Sequence, residues 1–109
     1  MKRQIALLLL CVVVLLLVGC QNGQNYGKAQ PLVDKAVDDV NERLDVPKEN
    51  ITVVKVEATE FSDTSLGVPK PGQLYAQVIT PGYIIVLEVD DAHYVYHGAD
   101  DRVVRVPEN

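Results

Sequence analysis

Thiols are scarce in this chain: among 109 residues there are two cysteines, Cys11 and Cys20, both within the first twenty positions. Downstream of Cys20 no disulfide, thiolate metal site or cysteine nucleophile can be assembled. Tryptophan is absent and Phe61 is the single phenylalanine, so five tyrosines carry nearly all the aromatic surface. Positive charge is sparse too, with 10 Lys and Arg against 15 Asp and Glu. The basic residues are scattered among carboxylates instead of being clustered beside aromatic platforms, which argues against nucleic acid as a partner. There are only two histidines, His93 and His97. On a strand rising about 3.3 Å per residue they share a face roughly 13 Å apart, too far for one ion to bridge. Neither Asp90-Asp91 nor Asp100-Asp101 has the alternating oxygens and glycine of a calcium loop. No metal and no cofactor is expected.

The N-terminus is the most informative stretch. Lys2 and Arg3 precede an apolar run from Ile5 to Val18, which ends in Leu17-Val18-Gly19-Cys20. A helix needs about 20 apolar residues to span a bilayer comfortably, and this run is shorter. A basic start, a short apolar centre and a small residue before a cysteine form the layout of a secretory signal, and the last four residues resemble a bacterial lipobox. The expectation is that residues 1–19 are removed and that Cys20 is lipidated, which anchors the protein to a membrane on its extracytoplasmic side. Several acyl chains hold such an anchor stably, each buried methylene being worth about 0.8 kcal/mol. An uncleaved signal anchor and plain secretion are the alternatives. Gln21, where an Asp would resemble an inner-membrane retention signal, favours the outer membrane if the envelope has two. Processing also removes Lys2 and Arg3, leaving 8 basic against 15 acidic residues. An acidic surface keeps a tethered domain soluble and off anionic headgroups.

Residues 20–28 are polar and contain two glycines, Gly23 and Gly27, so they read as a flexible tether. Residues 29–109 form one small domain. From Pro31 to Leu44 the apolar residues Leu32, Val33, Ala36, Val37, Val40 and Leu44 recur at helical spacing, with charge on the opposite side. Pro31 suits a first turn, and Pro47 ends the helix by pushing Val46 to extended geometry. The period then changes to two. Ile51 to Phe61 alternates like a half-buried strand, whereas Ile84-Ile85-Val86-Leu87, within Tyr83 to Val89, is continuously apolar like an interior one. Leu74 to Ile79, His93 to His97 and Arg102 to Val106 read as further strands. Thr80-Pro81-Gly82 and Gly98-Ala99-Asp100-Asp101 read as turns. The fold class is therefore α+β, one N-terminal amphipathic helix on a small antiparallel sheet of about four or five strands. Ser62 to Gln73, interrupted by Gly67, Pro69, Pro71 and Gly72, is the longest irregular loop and the natural place for recognition.

Asp63-Thr64-Ser65-Leu66-Gly67-Val68-Pro69-Lys70-Pro71-Gly72, then Thr80-Pro81-Gly82-Tyr83-Ile84-Ile85 and Tyr94-Val95-Tyr96-His97, resemble the signature of small uncharacterised bacterial extracytoplasmic domains. That resemblance implies no activity. The family pattern often has Cys where Val68 stands and another near Val104-Arg105-Val106, so it implies a loop-to-strand bridge whose place apolar packing of Val68 would take here. A helix set before short strands is also similar to PepSY-like domains, by architecture alone.

The chemistry-bearing residues leave several readings. Ser62 or Ser65 with Asp63 and His97 supplies a triad by residue type, but neither serine lies in G-x-S-x-G. An enzyme is therefore not expected. The reading adopted from the sequence is a membrane-anchored binding or inhibitory module that meets an envelope protein or polymer through the 62–73 loop, with Asp63, Ser65, Leu66, Lys70 and Tyr83 as its contact residues. A structural accessory of the envelope is the alternative, and a small hydrolase a third. Asp63 and Ser65 are also expected to fold the loop backbone into an Asx turn.

Overall fold

The computed structural model describes residues 25–108. The leader, Cys20 and the first part of the tether lie outside the described residues. Among the described residues one α-helix, α1 (Gln30–Leu44), precedes four strands, β1 (Thr52–Phe61), β2 (Thr80–Val89), β3 (Ala92–Ala99) and β4 (Arg102–Arg105). The strands form one antiparallel sheet in the order β1-β2-β3-β4, with α1 packed on one face. This is the expected α+β architecture, with four strands.

Helix α1 begins one residue earlier than expected, after a 3₁₀ turn at Gly27–Ala29. The Tyr26 amide donates to Gln30 Oε1 at 3.0 Å, and the Tyr26 ring packs against the core. The folded part thus reaches back into the stretch assigned to the tether. At the other end Asp45 takes a left-handed φ of 53°, which satisfies the last turn and redirects the chain before Pro47. Leu32, Val33, Ala36 and Val40 are buried against Ile85, Leu87, Val89 and Tyr96, and Val37 and Leu44 flank them half-buried. Every apolar position of the helical pattern faces the sheet.

In β2, Ile85, Leu87 and Val89 point to the helix, while Ile84 points to the opposite face, where it meets a second cluster of Phe61, Leu66 and Ala99. That arrangement explains the unbroken apolar run: a loop covers part of the face that the helix does not. Strands β2 and β3 are joined by Asp90-Asp91, both at positive φ (50° and 69°), as a two-residue I′ hairpin requires. The β3–β4 turn is confined to Asp100-Asp101, with Gly98 and Ala99 still in β3.

Two expectations fail between β1 and β2. Leu74 to Ile79 is not a strand, since residues 62–79 form one irregular arm. Thr80-Pro81-Gly82 is not a turn but the first three residues of β2, paired with Phe61, Glu60 and Thr59. Proline is tolerated there because β3 reaches only as far as Tyr83, opposite Gly98, so no third strand needs the missing N–H. Gly82 is required by close approach, as a β-carbon on it would lie 2.2 Å from the Gly98 carbonyl oxygen.

Candidate functional site: the clamped 62–79 arm

The arm leaves the end of β1, crosses the sheet face opposite α1 and returns to start β2. Its first turn is built by Asp63, whose carboxylate accepts the Ser65 backbone N–H at 2.9 Å and also the Ser65 hydroxyl. These bonds, the hydroxyl's first, hold the Asp63 carboxyl below its ordinary range. The expected Asx turn is therefore present. It carries Leu66 into a left-handed φ of 57° with its side chain wholly buried against Phe61 and Ala99. Gly67 follows at φ 78°. A left-handed leucine costs about 1–2 kcal/mol, comparable with what burying the side chain returns.

The sheet grips this turn from below. The Leu66 carbonyl lies 2.6 Å from His97 Nδ1, and because a carbonyl only accepts, Nδ1 carries the hydrogen. The His97 ring also lies 5.1 Å from that of Phe61, tilted by 35°. Arg102 donates through Nη2 to the Thr64 carbonyl. A second set of bonds closes the neck of the arm: the Thr64 amide donates to the Ala76 carbonyl at 3.1 Å, and the Ala76 amide donates to Thr64 Oγ1 at 3.0 Å. Tyr75 ties the far end. Its hydroxyl accepts the Lys70 amide at 3.0 Å and donates to Gln73 Oε1 at 2.9 Å.

Several contact residues expected from the sequence thus have other positions. Ser65 and Leu66 are buried, at 3% and 0% exposure, in the part of the loop held against the sheet. Asp63 is spent on the Asx turn. Lys70 is exposed on the arm. Tyr83 is half-buried and lines a shallow hollow with Lys28, Leu32, Ala58 and Asp100 on the helix side, away from the arm's turn. Cys20 lies outside the described residues. Val68, the position implied as a replacement for a bridge, is absent from the second cluster. Leu66 and Val104 make that packing instead.

Of the residues of triad type, Ser65, Asp63 and His97 are engaged in holding the loop. The Ser65 hydroxyl is bonded to Asp63, and the His97 Nδ1 hydrogen goes to Leu66. His93 pairs with Glu88 at 2.9 Å at the other end of β3. Among the described residues no three His, Cys, Asp or Glu gather to hold a metal ion.

What the sequence reading missed is the exposed apolar side of the arm. Leu74 is 99% exposed, Ile79 70% and Val78 54%. Alternation through Leu74, Ala76 and Val78 imitates a strand, and no local signal announces that Thr64 caps Ala76 from twelve residues away. The arm also lies inside a wider match: a model of the family described as Domain of unknown function (DUF8738) covers residues 33–106, more than half of the chain. The chain belongs to this family. The DUF8738 match takes in α1 from Val33, all four strands and the whole arm. No curated protein and no solved structure matches the chain. Among the described residues no helix is long and apolar enough to cross a membrane.

Proposed function

We propose that this DUF8738 protein is an extracytoplasmic lipoprotein, anchored through Cys20, that binds an envelope protein or polymer with its 62–79 arm and does no chemistry on it. One observation carries the reading: a pinned arm holds Leu74, Val78 and Ile79 out in solvent. Apolar residues kept exposed at a cost to stability mark contact surfaces. A backbone already fixed by the Thr64–Ala76 and Tyr75–Lys70 bonds loses little entropy on binding, so a fully exposed leucine can act as the anchor of an interface. This moves the contact surface from the expected 62–73 loop to the distal part of the 62–79 arm, leaving Asp63, Ser65 and Leu66 as the support.

The experiment compares native chain with Leu74→Asp and Ile79→Asp variants as baits in crosslinked envelopes. Partners captured by native chain and lost from both variants, with folding unchanged by circular dichroism, support the reading. Identical partner lists sink the arm's role and favour a structural accessory. Anchoring is read separately: Cys20→Ser abolishes incorporation of labelled fatty acid, and persistent labelling refutes lipidation at Cys20.

A further inference from the structure

Among the described residues strand β1 is a free edge of the sheet, paired with β2 on one side only. Strand β2 reads nine rungs along it, the last two being Glu60 and Phe61; the first seven are Thr52, Val53, Lys55, Val56, Glu57, Ala58 and Thr59, because the ladder steps from Val53 to Lys55 across a bulge at Val54. This series is symmetrical about Val56. Laid antiparallel against a copy of itself, Thr52 meets Thr59, Val53 meets Ala58, Lys55 meets Glu57 and Val56 meets Val56. Val53 and Val56 pack towards the helix-side core. Lys55 and Glu57 share the other face, where they pair at 3.3 Å and are about half exposed (51% and 53%). Each of these seven rungs therefore matches its counterpart by face and by chemistry, threonine with threonine, valine with valine or alanine, and lysine with glutamate.

We propose that β1 is a self-pairing edge, to which a second copy of this chain adds its own β1 antiparallel, centred on Val56, joining two sheets into one. Charge selects both partner and register. Moving the centre by one rung, to Lys55 or Glu57, sets that residue against its own copy, and like charges directly opposite are destabilising. Centring between rungs puts residues of opposite faces together, which the half-buried side forbids. A bulge can blunt an edge, but β2 pairs on both sides of Val54 with the faces kept, so the strand accepts a partner through it. The helix packs mainly on β2, β3 and β4, leaving the seam between two β1 strands unobstructed. The proposal needs neither the arm nor the anchor.

The test uses full chain in non-ionic detergent, native or carrying Lys55→Glu or Glu57→Lys, treated with a zero-length carbodiimide crosslinker. Native chain yields a band of twice the monomer mass. Each variant alone sets like charges against each other on two rungs, and because each substitution also removes one of the two groups the crosslinker joins, its pairing is read by sedimentation of uncrosslinked chain, where the dimer falls by about tenfold or more. An equimolar mixture of the two variants restores opposite charges at both rungs and regains the band. In the mixture Lys55 survives only in the Glu57→Lys chain and Glu57 only in the Lys55→Glu chain, so an amide joining their side chains connects two molecules. A native chain without the band, a single variant that sediments as a dimer to the same extent as native, or a mixture lacking the Lys55–Glu57 peptide overturns the proposal.

Discussion

Truncation of Leu66 tests whether the arm is held by its buried foot. The side chain is wholly enclosed by Phe61 and Ala99, with Ile84 and Val104 beside them. Leu66→Ala removes three buried carbons, worth about 0.8 kcal/mol each by transfer. A residual cavity adds to this, and buried Leu→Ala changes span about 2–5 kcal/mol. The cluster is small and lies under a loop that can settle, so the lower part of that range applies, about 2.5 kcal/mol. Alanine has a β-carbon like leucine, so the left-handed φ of 57° stays as unfavourable as before and no strain is relieved. With a urea m-value of about 1–1.5 kcal/mol/M, the unfolding midpoint falls by about 2 M at unchanged m. Amide hydrogen exchange supplies a local readout: the Thr64, Val68 and Ala76 amides, bonded within the arm, lose protection together. Val68→Ala, at a half-buried position outside the cluster, costs less than about 1 kcal/mol. A Leu66→Ala variant within about 0.5 kcal/mol of native, or one with arm protection intact, refutes the reasoning.

Two further outcomes follow, one from the helix–sheet interface and one from the close approach of β2 and β3. Burial, reinforced by a hydrogen bond donated to Asp39, raises the Tyr96 phenol above its ordinary 10.0. The folded state then holds this proton more tightly than the unfolded chain, so the associated stability is complete below about pH 10 and is lost as pH rises beyond it. Tyr96→Phe flattens that alkaline loss and costs about 1 kcal/mol at neutral pH, both measured by urea unfolding on either side of pH 10. Unchanged alkaline sensitivity in the variant would clear Tyr96 of the effect. Gly82→Ala forces a β-carbon to 2.2 Å from the Gly98 carbonyl and 2.9 Å from Phe61 Cε2, and costs about 3 kcal/mol or more in thermal or urea unfolding. A folded variant of native stability would show that β2 and β3 separate there more easily than their register implies.

The helix was legible because its signal is periodic and local. Leu32, Val33, Ala36 and Val40 repeat at the helical interval, Pro31 and Pro47 mark its ends, and all four residues are buried as the pattern requires. The β3–β4 hairpin was legible for a similar reason, since Asp100-Asp101 follows an apolar run with residues that tolerate positive φ. The stretch from Leu74 to Gly82 misled because each residue's local preference was overruled from a distance. Pro81 and Gly82 have turn chemistry, yet they continue a strand because β1 pairs with them and β3 stops short. Leu74 to Ile79 alternates, yet among the described residues it pairs with no strand.

The candidate site divides along the same line. The Asp63–Ser65 turn is a contact over two residues and could be read from the motif. The grip of His97 on Leu66, of Arg102 on Thr64 and of Thr64 on Ala76 joins residues 31, 38 and 12 positions apart. No periodicity or spacing rule encodes such pairs.

By itself, the sequence determined an acidic domain with no cysteine beyond Cys20 and a helix placed before an antiparallel sheet, because composition and period are properties of the chain alone. Tertiary structure decided which loop residues are support and which are surface. Leu66 and Leu74 are the same residue type in one loop, one fully buried and the other fully exposed. The difference is set by what lies beneath each, Phe61 and Ala99 under the first and solvent around the second, and that is known only once the sheet has formed.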